Sequence, residues 1–153
     1  MITNQNLEEI KKITQEFFRK TSFDVEIAIL KPEEQTIPIK IKTEEPKFLI
    51  GQNGKTLVEI QHLLKAILKR KIPEQFYIDL DINDYKKKKA EYLREMANSL
   101  ADEVTLTKKE KTLAPMPAYE RRIIHLTLVD RKDITTESIG EGPERRIIIK
   151  PYP

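Results

Sequence analysis

The chain has 153 residues, of which 39% are hydrophobic and 35% charged, enough apolar material for one good core or two small ones. Its net charge of only +3 is weak support for a polyanionic partner, and the lack of cysteine excludes a disulfide framework and any thiolate metal site. Two histidines leave a zinc centre dependent on carboxylates, and no run of about 18 apolar residues predicts a membrane span. We therefore expect a cytoplasmic protein with no cofactor, no metal and no membrane insertion.

The first half of the chain alternates between helical and strand periodicity. A helix is predicted from Asn4 to Lys20, with Asn4 or Asn6 as its cap, because apolar residues recur there at steps of three and four. Period-two alternation predicts three strands, over residues 23–29, 37–41 and 76–82. Pro38 cannot donate to a ladder, so its strand is expected at a sheet edge or in a bulge.

Two further helices flank a glycine loop in this half. A short one ends at Ile50, and a longer one follows the loop and is closed by Pro73. The order helix, strand, strand, helix, helix, strand predicts a compact α+β unit over residues 1–83.

The second half, residues 84–153, is predicted to form a small unit with two helices and a three-stranded sheet. A long helix capped by Asn83 or Asp84 should bury one apolar stripe, formed by Leu93, Met96, Ala97, Leu100 and Val104. A second helix should start at Pro117 and end near Val129. The strands are expected near residues 112–114, 134–139 and 145–150.

Glycine is scarce in this chain, and its four copies mark only two loops, "GQNG" at 51–54 and "GEG" at 140–142. A Gly-x-x-Gly loop that opens a helix brings backbone amides and a partial positive charge close to a ligand, so it suits a phosphate. A plain tight turn between helices explains the same glycines, and the motif alone does not decide between these alternatives.

A second candidate site lies in "MPAYERRIIHLTLV". Arg121 and His125 are four residues apart and project from the same side of a helix, where a guanidinium and an imidazole can grip phosphate or stack on a base. Tyr119, Ile123 and Leu126 are expected to face the core on nearly the opposite side. In the alternative, His125 packs internally and Arg121 pairs with a nearby Glu.

The last strand adds two cationic residues. Arg146 and Lys150 share one face by alternation and are expected to extend a basic track beside Arg121. The alternative is a solvated edge strand whose charges guard against aggregation.

Residues 23–82, with the "GQNG" loop, Lys55 and the Leu57/Ile60 pair, resemble a KH domain of the bacterial, type II topology (α-β-β-α-α-β). In that family the loop clamps the backbone of about four nucleotides while an apolar floor accepts the bases. The resemblance implies a nucleic-acid site made of Lys47, Ile50, Gly51, Gln52, Asn53, Gly54 and Lys55.

The stretch "LAPMPAYERRIIHLTLVDRKDITTESIGEGPERRIIIKP" resembles the domain named for its Arg-x-x-x-His motif, a binder of single-stranded nucleic acid. Its expected site residues are Arg121, Arg122, His125, Arg146 and Lys150. The order of the two units resembles the bacterial Jag (SpoIIIJ-associated) protein family. Typical members carry a further N-terminal domain, which the resemblance implies this chain lacks.

These observations favour a non-enzymatic protein that binds single-stranded RNA, or single-stranded DNA. No nucleophile evidently accompanies His125, although Ser138 or Tyr119 could approach it in the fold. The alternative is a protein-interaction scaffold, since the Jag resemblance implies a second small KH-domain protein as partner and a link to cell shape or division.

Overall fold

The computed structural model describes residues 1–153, which form two compact units, Met1–Lys86 and Lys87–Pro153. Each unit has its own hydrophobic core and its own three-stranded sheet with helices, so the predicted α+β class is confirmed. The predicted boundary after residue 83 lies just before the observed one. Every helix is too short or too polar to cross a lipid bilayer.

The first unit contains three helices and three strands. They are α1 (Asn4–Arg19), β1 (Glu26–Ile29), β2 (Thr36–Lys42), α2 (Pro46–Ile50), α3 (Lys55–Lys71) and β3 (Tyr77–Ile82). The sheet order is β1-β2-β3, with β1 antiparallel and β3 parallel to β2.

One face of this sheet is apolar because the register places isoleucines and leucines side by side. Ile39 of β2 pairs with Ile29 of β1 and with Leu80 of β3, and the neighbouring pairs repeat the pattern. Ile10 of α1 and Leu64 of α3 are fully buried in the same core. The alternating residues predicted from the sequence therefore form the inner face.

The cap of α1 differs from the prediction. Thr3, rather than Asn4 or Asn6, caps the helix: its hydroxyl accepts from the Asn6 N–H (3.1 Å), and the Asn6 side chain accepts from the Thr3 N–H (2.9 Å). This reciprocal pair is a capping box.

Pro38 lies in the central strand, so the prediction of an edge or bulge is wrong. Its carbonyl accepts from the N–H of Leu30, one residue beyond the end of β1. The N–H and C=O of one residue point the same way in an antiparallel ladder. The missing donor of Pro38 therefore falls where β1 has already ended.

Asp81 is only 2% exposed, although its position in β3 is on the polar face of the sheet. Its carboxylate accepts from the Lys86 N–H in the first turn of the next helix (3.2 Å) and lies 3.7 Å from the Lys40 ammonium. Asn83, a predicted helix cap, instead exchanges two hydrogen bonds with the backbone of Thr43 (2.9 and 2.7 Å).

The second unit contains a short strand, a central strand and an edge strand with two helices. The elements are α4 (Tyr85–Thr107), which begins just before the unit boundary, β4 (Lys111–Thr112), α5 (Ala118–Leu128), β5 (Ile134–Ile139) and β6 (Arg146–Pro151). The sheet order is β4-β6-β5, all antiparallel. Since β6 is central, the alternative that made it a solvated edge strand is wrong.

The core-facing side of α5 also differs from the prediction. Ile124 and Leu128 are buried, whereas Tyr119 and Leu126 are exposed. A second stripe at helical spacing was therefore the correct one. It contains a buried carboxylate, Glu120, which a sequence pattern does not place in a core and which lies 3.7 Å from the Lys89 ammonium.

Candidate nucleic-acid interface

The glycines of the loop at 51–54 are required by the backbone. Gly51 has φ 73° and ψ −179°, a conformation essentially restricted to glycine, and a Cβ there would lie 2.1 Å from the Thr56 hydroxyl. Gly54 is left-handed (φ 76°) and buried, with its α-carbon against the Tyr85 ring. A structural reason therefore accounts for both glycines.

The accessible part of the loop is its tip. Gln52 and Asn53 are exposed, and their N–H groups donate to no acceptor, whereas the N–H groups of Gly51 and Gly54 are bonded to nearby carbonyls (3.0 and 3.3 Å). The tip therefore offers two free backbone donors. Lys47 and Lys55 are exposed near it, while Ile50 is half-buried and packs on the core.

An open cavity of about 910 Å³ in the first unit has an acidic lining. Its carboxylates come from Asp24, Glu26, Glu44 and Glu45, and Lys42 is its only basic side chain. Glu44 and Glu45 immediately precede α2, so this side of the unit repels a phosphate chain.

The same unit presents an aromatic side chain that the sequence pattern did not identify. Phe48 of α2 is 69% exposed, and its ring is stacked on that of Phe23 at 6.2 Å between centroids. An apolar residue in a helix is normally assigned to a core, so no sequence signal marked Phe48 as a surface platform.

Arg121 in α5 is half-buried and oriented by the backbone. Its Nε donates to the Met116 carbonyl (3.2 Å), and its two Nη groups have no acceptor. No carboxylate pairs with it, contrary to the alternative in which Arg121 neutralises a Glu. Arg122 is exposed and unpaired. The N-terminal half of α5 therefore presents two guanidinium groups to an anion.

His125 is half-buried, with both ring nitrogens bonded to hydroxyls of β5. Its Nδ1 lies 2.7 Å from the Thr136 hydroxyl and its Nε2 lies 2.9 Å from that of Ser138. Burial, followed by the charge of Arg121, lowers the pKa of His125 below its ordinary value. The imidazole is therefore neutral at neutral pH.

The predicted track of Arg146 and Lys150 beside Arg121 is wrong in its placement. Ile147 and Ile149 of β6 point into the core, as do their cross-strand partners, including the Ser138 that His125 contacts. Arg146 and Lys150 alternate with them and lie on the opposite face of the sheet. They pair there with Glu144 and Glu137, each at 3.0 Å.

Arg145, which the sequence prediction omitted, lies on the face that carries Arg121 and His125. The N–H of Met116 donates to the Arg145 carbonyl (3.2 Å), and the Met116 carbonyl accepts from Arg121. The Arg145 side chain donates to the Gly140 carbonyl (2.7 Å) in the second glycine loop. Alternation along β6 was the available signal, but it required knowing which face the helices cover.

The second unit also matches a known domain family. Residues 91–151 match the family model of the Arg-x-x-x-His domain, the class named for an arginine and a histidine with three residues between them. The second unit therefore contains a domain of this class.

The chain is homologous to several bacterial proteins named RNA-binding protein KhpB. It is 34% identical to the one from Clostridium symbiosum over 116 residues, which cover 76% of this chain and 52% of that protein. It is 38% identical to that of Bacillus subtilis (strain 168) over 117 residues (75% and 56%). For that of Lactiplantibacillus plantarum, identity is 32% over 111 residues (72% and 34%).

These alignments are longer than the second unit, which spans residues 87–153, so they include part of the first unit. The matched region spans about half of the relatives' length, or less.

Proposed function

We propose that this chain is a non-enzymatic protein that binds single-stranded RNA in the cytoplasm, where it acts in post-transcriptional regulation or as an RNA chaperone. In this proposal residues 1–83 form a type II KH domain, and residues 84–153 form an Arg-x-x-x-His domain that holds the strand. The family match of the second unit and the names of the relatives support nucleic-acid binding.

The observation that carries the proposal is the presentation of cationic donors on α5. The Nη groups of Arg121 have no internal acceptor, although its Nε is fixed, and Arg122 beside it is also unpaired. A fixed guanidinium with free donors recognises phosphate with little loss of side-chain entropy. Arg145 adds a third guanidinium on the same side.

The geometry around His125 supports a binding role better than catalysis. Ser138 is within reach of Nε2, but the group on Nδ1 is the Thr136 hydroxyl. A histidine that activates serine is oriented by a carboxylate in the Ser-His-Asp arrangement, and none binds His125. The hydroxyl pair instead fixes the ring as a flat, neutral surface.

For the first unit, the sheet order, the parallel β2–β3 pair and the glycine loop support the KH assignment. The free amides of Gln52 and Asn53, with Lys47 and Lys55, would contact one or two phosphates. The acidic cavity limits the basic surface around this loop, so the contribution of the first unit to affinity should be the smaller one.

Salt-dependent binding tests the proposal. Fluorescence anisotropy with a labelled, mixed-sequence single-stranded RNA should show log K falling linearly with log salt, by about 0.7 per phosphate contact. Absence of binding at low ionic strength would contradict the proposal. Competition with single-stranded DNA of the same sequence decides between the two polymers, because only RNA carries the 2′-hydroxyl.

A second candidate function is a protein scaffold whose first unit pairs with a small KH-domain protein, linked to cell shape or division. The exposed Phe48 beside an acidic cavity favours it, since these features suit a protein surface better than a phosphate chain. Association with such a protein that survives nuclease treatment and is lost in Phe48→Ser would support the scaffold. Association that disappears with the RNA would reject it.

A further inference from the structure

A cavity of about 600 Å³ in the second unit lies between the C-terminal end of α5 and β5. Leu128 and Ile134, both buried, are part of its lining. Val129 and Tyr152 line it as well, and they are 67% and 59% exposed. A concave site with an apolar floor and an exposed aromatic rim has the size and composition of a small-ligand pocket.

The cavity also contains open backbone groups. Tyr152 N–H donates to the Asp133 carbonyl (3.0 Å), so the odd-numbered residues of β5 point their peptide groups towards β6. The N–H and C=O groups of Ile134 and Thr136 then point away from β6, at the unpaired edge of the sheet. A ligand in the cavity can therefore meet both a donor and an acceptor.

The turn that forms the mouth of the cavity is held by ionic hydrogen bonds. Arg131 donates to Asp133 (3.0 Å) and to Asp102 of α4 (2.7 Å), while the Thr105 hydroxyl donates to Asp133 (2.6 Å). The Arg131 guanidinium and the Thr105 hydroxyl hold the pKa of Asp133 well below its usual range. Asp133 is also the residue that anchors Tyr152, so the aromatic rim is fixed before any ligand arrives.

His125 connects this cavity with the cationic site on α5. Its Nδ1 side faces Thr136, which lines the cavity, and its Nε2 side faces Ser138, which lies nearer the Arg145 end of the sheet. Lys132, also in the lining, has no carboxylate partner and is free to meet a phosphate. A strand held by Arg121 therefore has a continuous path into the cavity.

We infer that this cavity is a nucleobase pocket in which a base stacks on Tyr152 and Val129 and bonds to the free peptide groups of β5. The inference rests on the proposed RNA binding and assigns the place where that strand inserts a base. Every base has an aromatic face and an edge with adjacent donor and acceptor, so the pocket would be tolerant of sequence. An extended peptide on β5 fits less well, because α5 and Tyr152 confine the edge within a cavity.

The test combines one side-chain change with abasic RNA on the full chain. Tyr152→Ala should weaken binding of a short mixed-sequence RNA about tenfold without changing the salt slope, whereas the matched control Tyr152→Phe should bind like the parent. An abasic position that weakens the parent should have no further effect in Tyr152→Ala, because the two changes remove the same contact. Amide resonances of Ile134 and Thr136 should shift with intact RNA.

Three results would overturn the inference: unchanged affinity in Tyr152→Ala, additive effects of the abasic position and the variant, or a response of the Ile134 and Thr136 amides to a Thr-Val strand peptide but not to RNA. The last would assign the edge to a peptide. If the parent protein binds no RNA at any ionic strength, the proposed function itself fails. Salt-dependent binding without any Tyr152 effect removes only the pocket.

Discussion

The glycine loop of the first unit and the Arg121–His125 site of the second unit would offer a phosphate different groups. The loop would use backbone amides, whose direction depends on a conformation at Gly51 that side chains do not tolerate. The second site would use side chains, each fixed by one hydrogen bond or two. Substitution should therefore affect folding most at the loop and binding most at α5.

The largest expected effect on folding is that of Gly51→Ala. The unfavourable φ and the overlap with Thr56 should lower the stability of the first unit by about 1–3 kcal/mol. Gly54→Ala should cost less, since its added Cβ meets only the Tyr85 ring, at 3.0 Å. Residue-resolved hydrogen exchange separates the two units, and equal effects of the two substitutions would contradict this account.

At the second site, Arg121→Gln should weaken RNA binding about tenfold, because it removes a charge-assisted bond, and should reduce the salt slope by about one contact. Arg146→Gln is the matched control, since Arg146 lies on the opposite face of the sheet and pairs with Glu144. Arg145→Gln should resemble Arg121→Gln. Anisotropy titrations that rank Arg146 above Arg145 would reject the assignment of sheet faces to the site.

A smaller loss of affinity is expected for the double variant Gln52→Asp/Asn53→Asp, which places two negative charges at the tip of the loop. Aspartate tolerates the left-handed conformation of Asn53 (φ 55°), so circular dichroism should stay unchanged while RNA affinity falls severalfold. Gln52→Ala/Asn53→Gly is the neutral control. If both variants bind like the parent, the loop does not contact the strand.

The smallest effect should be the pH dependence of the second unit. The lowered pKa of His125 means that its contribution to stability is complete above the ordinary histidine pKa of about 6.5 and is lost as the pH falls below it. Thermal unfolding between about pH 7.5 and about pH 5.5 should show this loss in the parent and a weaker one in His125→Asn. A steeper loss in the variant would contradict the neutral assignment.

Much of the local structure was readable along the chain. The period of apolar residues predicted every helix and strand within a few residues, including β5, and the glycine pair marked a true backbone constraint. The match to the Arg-x-x-x-His domain family also falls on the segment that contains the Arg121–His125 spacing. Whether these residues bind RNA stays a prediction.

Which residues share a face could be read from the sequence, because periods of 3.6 and 2 are properties of one element. Long-range packing settled which strand is central, which face the helices cover and which stripe of α5 is buried. Those choices depend on contacts between distant segments, which no local period encodes. They explain why Pro38 is tolerated inside a sheet, why Glu120 can be buried beside Lys89, and why Arg145 rather than Arg146 lies with His125.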